Sequence, residues 1–216
     1  MDTLAARQQM VDQQIRTWEV LDPRVLDVFA TVPREAFVPP EYRDLAFADA
    51  AIPIGYGQSM LAPKLQGRIL QALAVTAKES VLEVGSGSGY LSACLALLAS
   101  STHSIEIFPE LTKAAATNVR TVPAARVSFE TRDACSSASL GEYDVIAVTG
   151  SLPIHDTRFE RALRIGGRLF AVIGAAPVMD AMLIRRVDDA EWIRESLFET
   201  VIDPLVNALA APRFVF

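Results

Sequence analysis

The part of the chain best suited to chemistry is a glycine-rich turn with acidic residues on both sides of it. Glu83 precedes the turn Gly85-Ser86-Gly87-Ser88-Gly89, and Glu106 follows 23 positions after Glu83, at the end of the next predicted strand. Glycines in such a turn let a ligand approach the backbone closely, because no Cβ atoms intervene. A turn without a ligand can have the same composition. Its position between a strand and a helix, with an acidic residue after the following strand, favours nucleotide binding.

The spacing of this turn favours S-adenosyl-L-methionine over a dinucleotide or ATP. A dinucleotide fingerprint is GxGxxG, whereas the turn here is GxGxG without a Walker lysine, and Glu83 would repel a pyrophosphate. Glu83 could instead meet the cationic amino end of a methionine moiety. Glu106 could accept hydrogen bonds from both ribose hydroxyls, and Asp133, after the third strand, could accept one from an adenine amino group. The alternative is a set of solvated carboxylates at strand ends.

The elements that position these residues alternate between strand and helix from residue 63 onward, where Pro63 begins a predicted helix. Strands are predicted at 80–85, 103–108, 126–131, 143–150 and 168–174, with helices at 91–99 and 109–122 and helical or loop material at 156–165. Two final β segments, 182–188 and 194–203, should pair antiparallel because only a short turn separates them. This order predicts an α/β fold with a Rossmann-like, doubly wound and mostly parallel sheet.

The N-terminal part of the chain has a helical rather than an alternating pattern. Apolar residues recur at helical spacing over residues 3–18, and Asp22-Pro23 is typical of a helix start, here opening a helix through Ala30. We therefore expect two regions: an N-terminal helical, substrate-side segment over 1–62, packed on a cofactor-binding domain over 63–216.

Composition narrows the functional class. The 216 residues are 51% hydrophobic and 21% charged, as in a globular protein, and the net charge of -6 argues against a protein that coats nucleic acid. With two cysteines, Cys94 and Cys135, only two histidines and no CxxC motif, the residue types do not provide a metal-ligand cluster, so we predict no metal site. The cysteines are expected to be buried and reduced. Without a signal-peptide pattern or an apolar run of roughly 20 residues, the expected location is the cytoplasm.

Several longer motifs carry a resemblance to a known family. They are MVDQQIR (10–16), VPREAFVPPEYRDLAFAD (32–49), PIGYGQSMLAP (53–63), VLEVGSGSGY (81–90), YDVIAVTG (143–150) and IGGRL (165–169). On these motifs the chain resembles the class I S-adenosylmethionine-dependent methyltransferases, and more narrowly the protein-L-isoaspartate (D-aspartate) O-methyltransferases. The resemblance covers nearly the whole chain, and PREAFVP and IGYGQ are its most diagnostic parts.

The resemblance implies a seven-stranded sheet with its last strand pair reversed, and a protein-repair activity. In that family the α-carboxylate of an isoaspartyl residue is methylated, and the ester closes to a succinimide that can hydrolyse to normal aspartate. The cofactor would be S-adenosyl-L-methionine, and S-adenosyl-L-homocysteine would be the product. The implied cofactor-binding residues are Ser59, Glu83, Val84, Gly85, Ser86, Gly87, Gly89, Tyr90, Leu91, Glu106, Ile107, Asp133, Ala134 and Thr149.

The substrate-side loop departs from the family pattern. That pattern is Gln-Thr-Ile-Ser-x-Pro, with the serine after isoleucine contacting the substrate carboxylate, whereas residues 58–63 are QSMLAP. Gln58 and Ser59 keep polar groups and are predicted to act in the active site, but Leu61 stands at the serine position and cannot donate a hydrogen bond. Losing such a donor should cost ~1.5–3 kcal/mol. A second departure is Gly150-Ser151-Leu152-Pro153, where the family sequence is alanine-rich after VTA.

These departures leave three hypotheses open. The first is isoaspartyl carboxyl methylation, with a damaged peptide or protein as the partner. The second is methylation of another acceptor, such as a small molecule that makes an apolar contact with Leu61. The third is a protein that binds the cofactor without turnover. His155, after the fourth strand, could act as a general base, although a solvated loop histidine is the more ordinary interpretation.

Overall fold

A computed structural model describes residues 3–210 of the chain. Its strands are β1 (Ile52–Gly55), β2 (Gln58–Met60), β3 (Ser80–Val84), β4 (Ser101–Glu106), β5 (Val127–Thr131), β6 (Tyr143–Leu152), β7 (Leu163–Ala175), β8 (Val178–Asp188) and β9 (Glu191–Glu199). Its α-helices are α1 (Thr3–Met10), α2 (Pro23–Thr31), α3 (Pro63–Leu73), α4 (Tyr90–Leu98), α5 (Pro109–Val119) and α6 (Thr157–Arg161). None of the helices in residues 3–210 is long and apolar enough to cross a membrane.

Seven of the strands form one sheet in the order β5-β4-β3-β6-β7-β8-β9, and β1 pairs with β2 as a separate hairpin. The pairs from β5 across to β7 are parallel, whereas β7–β8 and β8–β9 are antiparallel. The chain runs outward from β3 to β5 and then returns to β6, so the topological switch point lies between β3 and β6. Ligands in open α/β sheets bind outside the strand carboxyl ends at such a point. The predicted fold class is confirmed.

Successive residues of the central strands face opposite layers of the core. Val81 of β3 and Val145 of β6 belong to one hydrophobic cluster, and their neighbours Leu82 and Ile146 belong to a second. This alternation follows from the two-residue period of a strand. It places a packed layer on each face of the sheet, as a doubly wound fold requires.

The N-terminal segment packs into the first of these clusters and is tied to the substrate-side loop by Arg34. This side chain is fully buried, and its Nη2 donates to the carbonyl of Leu61 at 2.8 Å while its Nε donates to the carbonyl of Ala46 at 2.9 Å. Its Nη1 also donates to Gln66, and the guanidinium lies 4.8 Å from the ring centroid of Tyr90. A buried charge needs its hydrogen bonds satisfied. Arg34 therefore holds the backbone at Leu61 in a defined position.

Several boundaries differ from those predicted. Residues 3–18 are helical as expected, but only Thr3–Met10 is α-helix, followed by a π-helical turn and a 3₁₀ turn. β7 begins at Leu163, inside a stretch expected to be helical or loop. β9 ends at Glu199 rather than continuing to residue 203, because the following residues leave the sheet to hydrogen-bond with Ser151. Cys94 and Cys135 are both buried, as predicted, and neither is in a disulfide in the described residues.

Candidate active site

A cavity opens at the carboxyl ends of β3, β4 and β6, beside the glycine-rich turn. Its wall contains many of the residues predicted to bind cofactor or substrate. Those residues are Gln58, Ser59, Leu61, Val84, Gly85, Gly87, Glu106, Ile107, Asp133, Ala134 and Thr149. Because the strand ends of a parallel sheet share one edge, groups that are far apart in sequence meet here.

Two glycines of the turn are required by close packing. Gly85 has φ +97, and a Cβ on it would lie 2.4 Å from Oγ1 of Thr149. That hydroxyl shares its one proton between the carbonyls of Val84 and Gly85, at 2.9 and 2.7 Å, and so ties the turn to β6. Gly89 has φ +84, and a Cβ there would lie 2.9 Å from Cα of Ala115 in α5. Gly89 therefore supports close approach of the turn to α5, although it does not line the cavity.

Glu106 organises the turn while keeping acceptor capacity. Its Oε2 accepts a hydrogen bond from the backbone N–H of Gly87 at 2.9 Å, and its Oε1 accepts one from the N–H of Phe108 at 3.1 Å. A carboxylate offers about four lone-pair sites, so roughly one site on each oxygen remains. The buried carboxylate on the cavity wall can therefore accept two further donors, such as a pair of adjacent hydroxyls.

Asp133 is held from two sides. Its Oδ1 accepts from the backbone N–H of Cys135 at 2.8 Å, and its Oδ2 accepts from Nδ2 of Asn207 at 2.9 Å. Burial raises the pKa of Asp133, but the hydrogen bonds from Asn207 and from the backbone outweigh that effect and hold the pKa below its ordinary value. Asp133 is therefore a charged acceptor on the cavity wall.

Glu83 lies in a different place from the one predicted, and it does not line the cavity. It is fully buried, and its Oε2 accepts hydrogen bonds from the hydroxyls of Ser92 and, at 2.5 Å, Ser104. Burial raises its pKa to about 7. The cause of the error is strand alternation, since Val84 faces the cavity and its neighbour therefore faces away. The structure corrects the expectation that Glu83 contacts the ligand's amino group.

Four other predicted cofactor residues are also outside the cavity wall. They are Ser86, Gly89, Tyr90 and Leu91. The Ser86 hydroxyl is 2.6 Å from that of Ser104, behind the turn, and Tyr90 packs edge-on against Phe37 with a centroid distance of 5.4 Å. Their side chains pack the turn and α4 against the core. They can support the shape of the site, but they do not line the cavity.

The β1–β2 hairpin brings the predicted substrate-side residues to the cavity. Ser59 pairs with Pro53 and Gln58 with Gly55 in this hairpin. At its tip, Tyr56 stacks on Phe108 with ring centroids 4.5 Å apart, and Phe108 itself lines the cavity. Leu61 follows β2 and is only 9% exposed, with its apolar side chain among the core residues. The hairpin thus closes one side of the cavity.

Sequence reasoning missed a wall formed by the C-terminal residues Asp203, Leu205 and Val206. They follow β9 and return to β6, where the backbone N–H of Ser151 donates to the carbonyl of Asp203 at 2.9 Å. The sequence has no motif that indicates this return, since residues 194–203 have the composition of a strand.

His155 does not line the cavity, and its Nε2 lies 3.0 Å from the buried carboxylate of Glu160.

Comparison with known proteins identifies close relatives. Residues 5–210 match the family described as Protein-L-isoaspartate(D-aspartate) O-methyltransferase. A protein-L-isoaspartate O-methyltransferase of Rhodopseudomonas palustris is 34% identical over 201 residues, which is 92% of each chain. Another, of Aeropyrum pernix, is 36% identical over 208 residues, covering 94% of this chain and 80% of the relative.

The fold comparison agrees with these sequence matches. A Plasmodium falciparum protein classed as a protein-L-isoaspartate O-methyltransferase, crystallised with S-adenosyl-L-homocysteine, superposes with a TM-score of 0.82. The match covers 93% of this chain and 98% of that one at 18% identity, so it shows that the two share a fold. The resemblance drawn from the sequence motifs is confirmed by the family match and by relatives of similar length. The chain belongs to the protein-L-isoaspartate(D-aspartate) O-methyltransferase family.

Proposed function

We propose that this protein is an S-adenosyl-L-methionine-dependent methyltransferase that methylates the α-carboxylate of isoaspartyl residues, in a cytoplasmic repair reaction. The observation that carries the proposal is one cavity that unites the glycine turn with two acidic acceptors, Glu106 and Asp133, and the hairpin residues Gln58 and Ser59. Family membership supplies the acceptor class.

The residues present fit the proposed cofactor. Glu106 keeps acceptor sites for both ribose hydroxyls after binding the N–H groups of Gly87 and Phe108. Asp133 is a charged acceptor suited to an adenine amino group, and Gly85 and Gly87 leave the backbone accessible on the same wall. When bound, the sulfonium supplies an electrophilic methyl group.

On the acceptor side the chain needs to supply position rather than acid–base chemistry. A carboxylate is already a nucleophile at neutral pH, so proximity, in-line orientation and partial exclusion of water carry the rate. Gln58 and Ser59 are the polar groups that the hairpin brings to this wall, and they are proposed to orient the acceptor. Arg34 fixes the loop from behind through the carbonyl of Leu61.

Leu61 favours a second candidate function, transfer to a different acceptor. Leu61 lines the cavity and is apolar, whereas the family pattern has a hydroxyl at this position. A carboxylate that moves from water to this position loses hydrogen bonds to water that Leu61 cannot replace. A neutral or less polar small molecule would lose less binding free energy here. The third possibility, cofactor binding without turnover, follows if no acceptor is methylated.

The test is a transfer assay with methyl-labelled S-adenosyl-L-methionine and two peptides that differ only in an isoaspartyl or a normal aspartyl residue. The proposal expects label on the isoaspartyl peptide alone. Leu61→Ser should raise that rate roughly ten-fold or more, whereas the matched Leu61→Ala, which removes the side chain without adding a hydroxyl, should not. Label on neither peptide, with S-adenosyl-L-homocysteine still bound tightly, would reject the isoaspartyl substrate. Transfer to a small-molecule acceptor would then support the second candidate.

A further inference from the structure

The C-terminal residues 200–208, here called the C-terminal strap, are attached to β6 by backbone hydrogen bonds. The N–H of Ser151 donates to the carbonyl of Asp203 at 2.9 Å, and the N–H of Leu205 donates to the carbonyl of Ser151 at 3.0 Å. Ser151 and Pro204 form an isolated parallel bridge. The C-terminal strap is thus held against the sheet edge where the cavity opens.

Close packing at Gly150 fixes how near the C-terminal strap approaches. A Cβ on Gly150 would lie 2.8 Å from Cδ2 of Leu205 and 3.0 Å from its backbone nitrogen. Contacts below 3.0 Å force something to move. Gly150, which departs from the family's alanine-rich pattern, therefore allows Leu205 to pack beside the turn.

In this position the C-terminal strap places the side chain of Asn207 against the carboxylate of Asp133. Asn207 has φ +63, a left-handed conformation that asparagine tolerates better than most residues with a Cβ. The N–H of Ala208 donates to the carbonyl of Leu205 at 3.2 Å and closes the turn. Nδ2 of Asn207 then donates to Oδ2 of Asp133 at 2.9 Å. This is a side-chain contact across 74 positions of the sequence.

The donors from Cys135 and Asn207 hold the two oxygens of Asp133 separately. The N–H of Cys135 engages Oδ1 and the amide of Asn207 engages Oδ2, so rotation of the carboxylate would break both hydrogen bonds. Ser136 adds hydrogen bonds to the same carboxylate, and with about four lone-pair sites the carboxylate can accept a ligand donor as well. A fixed acceptor loses less conformational freedom when a ligand binds than a mobile one does.

We infer that Asn207 is a positioning residue for the adenine of the cofactor, acting by holding the Asp133 carboxylate in the orientation that accepts the 6-amino group. This inference rests on the proposed function, because it takes Asp133 to be the adenine acceptor. It makes the C-terminal strap a specificity element of the cofactor site. In the opposite arrangement, the Asn207 amide would occupy the place of the adenine amino group. Removing the Asn207 side chain would then strengthen cofactor binding rather than weaken it.

Calorimetric titration of the full chain tests the inference with two ligands. One is S-adenosyl-L-homocysteine, and the other is its analogue with hydrogen in place of the 6-amino group. Asn207→Gly keeps access to positive φ and removes only the side chain. This variant should bind S-adenosyl-L-homocysteine about three- to tenfold more weakly, and its affinity for the analogue should change less than twofold. Asn207→Asp keeps the side-chain size but faces Asp133 with a like charge, and should weaken S-adenosyl-L-homocysteine more than tenfold, with partial recovery at high salt.

The outcomes separate this inference from the proposed function. Equal weakening of both ligands by Asn207→Gly would assign the residue a merely structural role, and unchanged or tighter binding of S-adenosyl-L-homocysteine would overturn the inference. If Asn207→Gly does not fold, the salt-dependent loss in Asn207→Asp decides, and its absence counts against the inference. A wild-type protein that binds neither ligand would instead contradict the proposed cofactor. One that binds both ligands equally would contradict the assignment of Asp133 to the adenine amino group. Asp133→Asn, which removes the charge itself, provides the reference for full loss of the preference.

Discussion

Replacing Glu106 tests the cofactor assignment most directly. In the structure its two oxygens accept from the N–H groups of Gly87 and Phe108, at 2.9 and 3.1 Å, and one acceptor site on each oxygen remains. Glu106→Gln removes the charge and turns one acceptor into a donor, which would then face a backbone N–H or a ribose hydroxyl that also needs an acceptor. Glu106→Ala removes both of these backbone contacts and both remaining acceptor sites.

The expected magnitude follows from these contacts. A hydrogen bond to a charged group contributes about 1.5–3 kcal/mol, and two such bonds to ribose hydroxyls would be lost. Allowing for water entering the site, we expect a net loss of about 3 kcal/mol, or on the order of a hundredfold in the dissociation constant. Glu106→Gln should lose somewhat less than Glu106→Ala, because its remaining carbonyl oxygen can still accept.

Isothermal titration calorimetry with S-adenosyl-L-homocysteine measures this loss. Glu142→Gln is the matched control, because it removes the same charge from an exposed residue just before β6, at the opposite end of that strand from the cavity. The control should bind as wild type does. If Glu106→Ala binds S-adenosyl-L-homocysteine within twofold of wild type while remaining folded, the assignment of Glu106 to the ribose is wrong.

Three further predictions concern the supports of the site. Gly89→Ala should lower the melting temperature markedly in a thermal scan, because its Cβ would lie 2.9 Å from Cα of Ala115 at φ +84. Gly150→Ala should displace Leu205 and weaken S-adenosyl-L-homocysteine severalfold in titrations while changing the melting temperature little. Burial raises the pKa of Glu83 from 4.5 to about 7, so the neutral form is favoured in the folded state. Its stabilising contribution is present below pH 4.5 and is lost as pH rises to 7, by up to about 1.4 kcal/mol per pH unit. Glu83→Gln should remove this decline in urea unfolding between pH 5 and pH 8.

Much of the fold, and of the part of the site proposed to bind the cofactor, could be predicted from residue patterns. Alternating strands and helices indicate a parallel sheet, and parallel strands place their carboxyl ends on one edge. Glu106 and Asp133, each at or just after a strand end, therefore meet the glycine turn on one cavity wall. The strand ends and the turn are local features, which the sequence encodes within a few residues.

Glu83 shows where a local pattern misleads. The motif places it two residues before Gly85, but β3 is buried on both faces, so the sequence cannot say which face holds the cavity. Packing of α4 and β4 decides, because Ser92 and Ser104 supply the hydroxyls that hold its carboxylate away from the cavity.

The sequence by itself determined the order of the elements, the glycine turn and the identity of the acidic groups at the strand ends. Only the tertiary structure decided that the chain after β9 returns to Ser151 and brings Asn207 to Asp133. The physical reason is that this return depends on two backbone hydrogen bonds and on the absence of a side chain at Gly150. Backbone groups are the same at every residue, so their pairing over a long separation leaves no signature in the residue types involved.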